Sequence, residues 1–358
     1  MTPRLTSSRS RRVAEGLDLD CFDHFPDPLL NAPASELWRY LRGPTLFSIP
    51  GRQAEPIFVS VLLHGNEDTG WQAIQALLRE RRGAMHHRPL TLFVGNIEAA
   101  RARVRTLPGQ EDFNRAWPGT ERPDTPVAHL MRDVVDIVRS QKPFASIDVH
   151  NNSGHNPHYA CVNSLAEPHL HLARLFSRTV VYFKLPTGVQ SAALAEICPA
   201  VTVECGRAGD AASAAHAVEL ISAALTTQHF PDHAVPEHDI DLLRTFAIIT
   251  IPRDASFSYD GTEADFRLRG DLDRLNFSEL EPGATLGMLG NGRRGRLNIR
   301  FVDSGATDAD YFDYTGGEIR LSQRAIPAML TLDPNAVRLD CLGYLMHRIG
   351  RDGRRCVE

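Results

Sequence analysis

The chain has 358 residues, enough for a large domain carrying a smaller one, and its 42% hydrophobic and 23% charged residues are typical of a globular protein rather than a disordered or fibrous one. A formal net charge of −5 gives no whole-chain electrostatic attraction for nucleic acid or anionic membranes, so the expected partner is a small molecule. The six cysteines are scattered without a C-x-x-C pair, which argues against a disulfide framework or a thiolate zinc site and favours a reducing, cytoplasmic compartment.

Residues 1–44 form an N-terminal segment. Its first part is basic and Ser-rich but lacks the apolar run of a signal peptide, and we interpret it as a frayed tail. The stretch from about residue 23 to 44 is expected to pack around a sheet edge. No part of the sequence approaches the ~20 consecutive apolar residues of a membrane span.

Residues 45–231 alternate short apolar runs with helical patterns, which predicts an α/β domain built on a mostly parallel or mixed central sheet flanked by helices. The runs lack polar alternation, as expected for strands covered by helices on both faces. Strands are predicted at 45–49, 57–63, 90–95, 145–149, 179–183 and 200–204. Helices are predicted at 68–82, 125–142 and 209–227, with Asp68, Thr125 and Asp210 as their N-caps.

Residues 232–358 have a different sequence pattern from the preceding domain. A Pro- and His-rich linker leads into short apolar runs that are separated by Gly-rich turns. We predict a small β-rich C-terminal domain, with a hairpin turn at Asn291-Gly292. The basic runs 79–89 and 290–296 lack interleaved aromatic residues and are interpreted as solvated loops, and His86 and His87 as surface residues. His155 and His158 are possible exceptions that line a pocket.

The segment "HGNE" follows a predicted buried strand and places His64 and Glu67 three positions apart. Open α/β sheets bind ligands at the carboxyl ends of their strands, where both side chains would project. An imidazole and a carboxylate on such a turn can reach one zinc ion, and Gly65 between them permits a tight backbone. Taken alone, an H-x-x-E pair is common by chance.

Two more strand ends supply further candidates. His150 closes the run "ASIDV", where it can serve as a third metal ligand, and Asp148 points to the same side and can orient an imidazole. Glu204 ends "AVTVE", an unfavourable place for a carboxylate without a task or a partner, and is a candidate general base. The alternatives are a solvent-exposed strand-end histidine and a structural glutamate paired with Arg207.

The loop "GQEDFNRAWPG" places Asn114 beside Arg115, a pair suited to recognising a carboxylate. Arg105, slightly upstream, can polarise a carbonyl or hold an oxyanion. A solvated basic loop is the alternative for these arginines.

In this order, "HGNE", "EDFNR", "DVH" and "VECG" resemble the succinylglutamate desuccinylase and aspartoacylase family, a branch of the zinc carboxypeptidase-like hydrolases. The resemblance covers roughly residues 45–230 and, more loosely, the C-terminal part. It implies one Zn²⁺ per chain on His64, Glu67 and His150. It also implies Glu204 as general base and acid, with Asn114 and Arg115 binding the carboxylate of the substrate.

The resemblance further implies that Arg105 polarises the scissile carbonyl, that Asp112 braces the Asn-Arg loop, and that a C-terminal tyrosine, Tyr311 rather than Tyr314, lies near the substrate. The implied reaction is hydrolysis of the amide bond of an N-acyl amino acid by a metal-bound water that Glu204 deprotonates. A metallocarboxypeptidase acting on short peptides would have the same residues. A catalytically inactive metal-binding protein of the same fold is the non-enzyme alternative.

Overall fold

A computed structural model describes residues 5–6, the backbone of 9–11, and residues 17–290, 295–302 and 311–356. The chain divides into two compact units. The first comprises residues 1–151, 158–182 and 186–241, and the second comprises 152–157, 183–185 and 242–358. The domain boundary predicted after residue 231 lies in the segment between the last helix of the first unit and the first long strand of the second. The predicted hairpin turn at Asn291-Gly292 lies outside the described residues.

The first unit alternates strands and helices, as the sequence predicts. Its strands are β1 (Arg9–Arg11), β2 (Leu19–Phe22), β3 (Thr45–Ile49), β4 (Ile57–Val61), β5 (Leu90–Val94), β6 (Ala145–Asn152), β7 (Tyr159–Val162), β8 (Thr179–Tyr182) and β9 (Ala200–Arg207). Its α-helices are α1 (Thr69–Glu80), α2 (Ile97–Ala102), α3 (Pro126–Ser140), α4 (Glu167–Arg174), α5 (Gln190–Ala195) and α6 (Ala211–Thr226). Short 3-10 helices lie at Asp27–Asn31, Ala34–Arg39 and Glu237–Asp239.

The strands of the first unit follow the order β1-β2-β3-β5-β4-β6-β9-β7-β8. Strand β4 pairs in parallel with both β5 and β6, and β7 pairs in parallel with β8. Antiparallel pairing occurs between β3 and β5 and between β7 and β9. The prediction of a mostly parallel, mixed sheet is confirmed. Because β4 and β6 are parallel neighbours, their carboxyl ends lie at the same sheet edge.

Helices cover both faces of this sheet, as the uninterrupted apolar strands predict. Phe58 of β4 belongs to the core cluster that includes the buried side chains of α3. Val61, which points to the opposite face, packs against α1 at Gly70, where a Cβ would lie only 2.8 Å from the Val61 Cγ1. A larger residue at Gly70 would therefore push α1 away from the sheet.

The N-terminal segment contributes to the sheet rather than only packing beside it, since β2 pairs in parallel with β3. Helix α1 holds the 3-10 helix Asp27–Asn31 of this segment through two buried side chains. The Trp71 Nε1–H donates to the Ala32 carbonyl over 2.8 Å, and the Gln75 Nε2 donates to the carbonyls of Leu29 (2.6 Å) and Ala32 (2.8 Å). These contacts tie the segment to the helix that follows "HGNE".

The three predicted N-cap residues precede their helices as expected, and two of them make a capping hydrogen bond. The Thr125 hydroxyl accepts a hydrogen bond from the Ala128 N–H, and the Asp210 carboxylate accepts one from the Ala212 N–H. Asp68 also stands at the N-cap position of α1, but its backbone is already helical and its side chain accepts no capping hydrogen bond. A residue with helical φ and ψ does not direct its side chain back onto the first turn.

The basic run 79–89 is not wholly solvated. His86 and Arg88 are buried, so the surface assignment of His86 was wrong. The Arg88 guanidinium lies 3.7 Å from the centre of the Phe144 ring and donates to the carbonyls of Thr227 and Gln228. Arg88 thereby fastens the end of α6 to the sheet, a role that a charge pattern cannot reveal.

The second unit is rich in β-structure. Its described residues include the short α-helix α7 (Pro334–Leu339) and 3-10 helices at Leu272–Leu275 and Thr315–Gly317. Strand β10 (Asp241–Thr250) pairs antiparallel with β14 (Asn298–Phe301) and β18 (Gly343–Arg348), and β17 (Ile326–Ala328) pairs with β18. A separate five-stranded sheet has the order β11-β12-β13-β16-β15, formed by Phe257–Ser258, Phe266–Leu268, Thr285–Leu289, Glu318–Leu321 and Phe312–Asp313. In the described part of the chain, none of the helices has the length and apolar character to cross a lipid bilayer.

Candidate metal centre

The turn after β4 directs His64 towards the carboxyl edge of the sheet. The strand ends at Val61 because Leu62, although buried, has a left-handed backbone with φ of 56°. Such a conformation costs a non-glycine residue about 1–2 kcal/mol, which the surrounding packing has to offset. Gly65 passes so close to α2 that a Cβ there would lie 2.1 Å from the Ala99 carbonyl carbon. The glycine is therefore required by the close approach of two backbone segments.

His64, Glu67 and His150 come together in a buried cluster whose potential ligand atoms lie within 4.8 Å of one another. The two Glu67 oxygens face the two rings: Oε1 lies 2.8 Å from His64 Nδ1, and Oε2 lies 2.7 Å from His150 Nδ1. The ring centroids are 4.9 Å apart. Two imidazoles and one carboxylate are a donor set typical of zinc, so these residues fit the metal that the sequence predicts.

Each histidine presents its other ring nitrogen to a carboxylate, which is buried in Asp148 and partly buried in Asp112. The His150 Nε2 lies 2.8 Å from Asp148 Oδ2, and the His64 Nε2 lies 3.0 Å from Asp112 Oδ1. Both rings therefore have Nδ1 available on the Glu67 side, an arrangement that fixes the tautomer and orientation of a metal-binding histidine. The expectation that Asp148 orients an imidazole is confirmed. The Ser60 hydroxyl in turn donates to Asp148 over 2.6 Å.

The charges of the cluster are strongly coupled. Burial raises the pKa of Glu67 and of Asp112, but the neighbouring cations outweigh it and hold both carboxyl groups below their usual range. Burial lowers the pKa of His150, but Asp148 and Glu67 raise it well above its ordinary value, and the pKa of His64 is raised for the same reason by Glu67 and Asp112. Three carboxylates around two imidazoles thus favour a cation at this site.

Arg105 lies at the edge of the cluster. Its Nε and Nη2 donate to Asp112 Oδ2 over 3.1 and 2.9 Å, and its Nη1 lies 3.9 Å from Glu67 Oε1. The Arg105 carbonyl accepts the Gly65 N–H over 3.1 Å. Asp112 therefore connects the arginine to His64 as well as to the Asn-Arg loop, through the Asn114 N–H at 2.7 Å.

Asn114 and Arg115 differ in their surroundings. The Asn114 side chain is buried: its Nδ2 lies 3.1 Å from His150 Nε2, and its Oδ1 accepts the Gln190 N–H over 3.0 Å. The Arg115 guanidinium is half-buried, with Nη1 donating to the Asn114 carbonyl over 2.8 Å. Gly188, at φ of 71°, approaches the Arg115 carbonyl so closely that a Cβ would clash with it. The loop is thus fastened to the start of α5.

Glu204 lies near the carboxyl end of β9, directly opposite Tyr159 of β7. Burial raises its pKa to about 7, against a partly compensating effect of His150. Burial, together with the same carboxylate, raises the pKa of Cys161 on the neighbouring strand. A buried carboxyl group poised near neutral pH beside a metal-binding cluster is suited to proton transfer.

Asn151 was missed by the sequence reasoning, although it adjoins His150. Its backbone N–H donates to Glu67 Oε2 over 3.1 Å, and its side chain accepts the Thr69 N–H and donates to the Gly206 carbonyl over 3.0 Å. Gln190 was missed as well. The available signal was the run of amides in "DVHNN", since buried amides require partners.

Tyr311 belongs to the second unit. Its ring packs against those of Phe246, with centroids 4.8 Å apart, and Phe301, at 5.4 Å. The Tyr314 hydroxyl accepts the Leu297 N–H over 3.1 Å. The role of Tyr311 near a substrate stays a prediction.

Comparison with solved structures shows similarity over most of the chain. A succinylglutamate desuccinylase/aspartoacylase from Rhodobacter sphaeroides has a TM-score of 0.56 at 15% identity, and the alignment covers 85% of this chain and 89% of the Rhodobacter chain. Murine aminoacylase 3 has a TM-score of 0.54 at 14% identity, covering 83% of this chain and 96% of its own. The succinylglutamate desuccinylase from Chromobacterium violaceum has a TM-score of 0.52 at 17% identity, covering 84% and 86%. At these identities the likeness shows the fold.

Sequence comparison addresses the family directly. Comparison with curated proteins gives no match. Residues 55–229 match the family described as the succinylglutamate desuccinylase/aspartoacylase catalytic domain, a range that contains the buried histidine–glutamate–histidine cluster and Glu204. Residues 55–229 of the chain therefore belong to the succinylglutamate desuccinylase/aspartoacylase family.

Proposed function

We propose that the chain is a zinc-dependent hydrolase that cleaves the amide bond of an N-acyl amino acid. The observation that carries the proposal is the buried cluster of His64, Glu67 and His150 with Glu204 in its electrostatic reach. A metal-binding protein without catalysis has no use for a buried carboxyl group whose pKa is raised to about 7.

His64 and His150 would hold one zinc ion through Nδ1, with Glu67 as the third ligand, because the Nε2 atoms already face Asp112 and Asp148. When bound, zinc supplies a Lewis acid for the acyl carbonyl and lowers the pKa of a water molecule towards neutrality. Cobalt or nickel would also suit this donor set.

Glu204 acts on the proton that the reaction has to move. As a carboxylate it accepts a proton from the attacking water, whose oxygen forms the new bond to the acyl carbon. It then donates that proton to the nitrogen of the leaving amine as the C–N bond breaks. The products are a carboxylic acid and an amino acid. A pKa near 7 suits a group that has to accept and release one proton in each turnover.

The two arginines take different parts in this proposal. Arg105 is held by Asp112 with its Nη1 towards the metal cluster, which supports a role in polarising the scissile carbonyl. Arg115, half-buried at the loop surface, would bind the carboxylate of the amino acid. The Asn114 Nδ2 donates to Asp148 Oδ2 over 3.4 Å, and its Oδ1 accepts the Gln190 N–H. These contacts support a second task for Asn114, which is to hold the loop in register with the carboxylate that orients His150.

The test is release of free amine from a panel of N-acyl amino acids, with acetyl, formyl and succinyl groups on several amino acids and a few dipeptides, by zinc-loaded protein and a chelated control. Turnover that the chelator abolishes is expected for at least one N-acyl amino acid. Faster cleavage of dipeptides would indicate a carboxypeptidase instead. Protein that holds one zinc ion but cleaves nothing on the panel would contradict the proposed substrate class.

The variant Glu204→Gln tests the assigned base. We expect it to bind zinc as the wild type does and to lose activity by about 10²–10⁴-fold, the range typical of a general acid–base residue. The matched control is Glu196→Gln, which changes an exposed carboxylate of the same unit. Full activity in Glu204→Gln would refute the assignment.

A further inference from the structure

A row of three side chains lies behind the end of β9, apart from the metal cluster. The Ser213 hydroxyl lies 3.2 Å from His158 Nε2, the His158 Nδ1 lies 2.7 Å from His216 Nδ1, and the His216 Nε2 lies 2.7 Å from the Phe176 carbonyl oxygen. Ser213 is fully buried, and the Phe176 ring stacks on the His216 ring with centroids 4.2 Å apart. The proposed mechanism uses none of these groups.

The hydrogen bond to the Phe176 carbonyl, at one end of the row, determines the direction of the other hydrogen bonds. A carbonyl oxygen only accepts, so His216 Nε2 carries a hydrogen, and with neutral rings its Nδ1 is an acceptor. The His158 Nδ1–H therefore donates to His216, and His158 Nε2 accepts from the Ser213 hydroxyl. Each ring nitrogen and the hydroxyl of the row thus has a hydrogen-bond partner, and each hydrogen bond runs in one direction only. Such a network holds its members rigidly.

The row packs directly against Gly206. This glycine has φ of 67°, and a Cβ there would lie 3.0 Å from His158 Nε2 and 3.3 Å from Ser213 Oγ. The backbone of β9 therefore rests on the point where Ser213 and His158 meet. Gly206 is two residues after Glu204, so the row limits where the carboxyl-bearing end of the strand can move.

A second connection runs from Gly206 to the metal cluster. The Gly206 carbonyl accepts the Asn151 side-chain N–H over 3.0 Å, and the Asn151 backbone N–H donates to Glu67 Oε2 over 3.1 Å. Asn151 also accepts the Thr69 N–H at the start of α1. Displacement of Gly206 would thus alter the position of Glu67 through one side chain.

We propose that Ser213, His158 and His216 are positioning residues that set the place of Glu67 as a metal ligand, through Gly206 and Asn151, and the place of Glu204 as the base. The part that concerns Glu204 rests on the proposed function. The part that concerns Glu67 rests only on the metal cluster.

The experiment compares Ser213→Ala with Thr91→Val. Both changes remove one buried hydroxyl from the first unit, but the Thr91 hydroxyl donates to Gln141 from the start of β5, at the other end of the strands. Three quantities are measured: the zinc dissociation constant by competition with a chelator, kcat and KM on the substrate that the panel identifies, and the melting temperature. His216→Gln tests the far end of the row if Ser213→Ala fails to fold.

In Ser213→Ala we expect zinc binding to weaken by about 10–100-fold, as is typical when the support of a metal ligand is lost. We also expect kcat to fall about tenfold with KM changed by less than about threefold, because substrate binding does not involve the row. Thr91→Val should change the melting temperature similarly but leave zinc affinity and kcat intact.

Equal zinc affinity and kcat in Ser213→Ala and Thr91→Val, with equal losses of melting temperature, would overturn the proposal and leave the row a structural feature. Weakened zinc binding in Ser213→Ala, with a wild type that hydrolyses no amide, would instead support the positioning of Glu67 and contradict the proposed function. The two failures are therefore distinguishable.

Discussion

Glu204 makes the metal-free protein less stable at alkaline pH, and its removal should reveal by how much. The carboxyl group has an ordinary pKa of 4.5 when unfolded and a pKa of about 7 in the folded chain, mainly because of burial. Between these values the folded state binds more protons than the unfolded state, so the contribution of Glu204 to stability falls as the pH rises through this window. Above pH 7 the penalty is complete and amounts to about 3 kcal/mol.

Glu204→Gln replaces the carboxyl group by a neutral group of the same shape, so the penalty disappears. We expect the metal-free variant to be more stable than the wild type by about 3 kcal/mol at pH 8 and by less than about 1 kcal/mol at pH 4.5. The assay is urea denaturation at both pH values in the presence of a chelator. Glu196→Gln, at an exposed position, should change stability by less than about 0.5 kcal/mol at either pH.

A stability gain that is the same at pH 4.5 and pH 8 would mean that packing, rather than charge, distinguishes glutamine from glutamate at position 204. A loss of stability at pH 8 would refute the reasoning altogether, because it would show that the charged carboxylate is stabilised in the folded chain. In either case Glu204 would no longer have the raised pKa on which its assignment as the base depends.

Further predictions concern the metal cluster and its supporting backbone. Because the pKa values of His64 and His150 are raised, zinc binding should release between one and two protons at pH 6. Zinc affinity should then fall about 10- to 100-fold per pH unit below pH 6. Calorimetry in buffers of different ionisation enthalpy measures the number of protons released. Asp148→Asn should weaken zinc binding by about 10–100-fold in chelator competition; an unchanged affinity would contradict its role beside His150. Gly65→Ala should lower the melting temperature and zinc occupancy together, because the new Cβ meets the backbone at Ala99, and an unperturbed variant would show that the approach is looser than described.

The strands were predictable from sequence because buried parallel strands consist of unbroken apolar runs. The residues at which the strands end were harder to predict. Strand β4 stops at Val61 since Leu62 turns into a left-handed conformation, which leucine rarely adopts and no local pattern announces. Strands β6 and β9 continue past the apolar residues to Asn152 and Arg207, because ladder hydrogen bonds persist where the side chains are already polar.

The metal cluster was predictable because each member follows an apolar strand whose end position the topology fixes. The partners of that cluster were not, since they depend on contacts between distant segments. Asp112 was expected to brace a loop, but its bond to His64 Nε2 joins positions 48 residues apart. The contact of Asn114 with Asp148 and the burial of His86 likewise depend on tertiary packing, which a residue type alone does not specify.

The grip of α1 on the N-terminal segment determines which fragments of this protein are suited to recombinant expression. A fragment limited to residues 55–229, the range that matches the family, would lack the carbonyls of Leu29 and Ala32. The Trp71 indole and the Gln75 amide would then lose their hydrogen-bond acceptors within the protein. Each lost hydrogen bond removes about 0.5–1.5 kcal/mol, and the helix that bears the two donors starts two residues after Glu67. We therefore expect the smallest stably folded fragment to begin before residue 27, well ahead of the range that the family comparison covers.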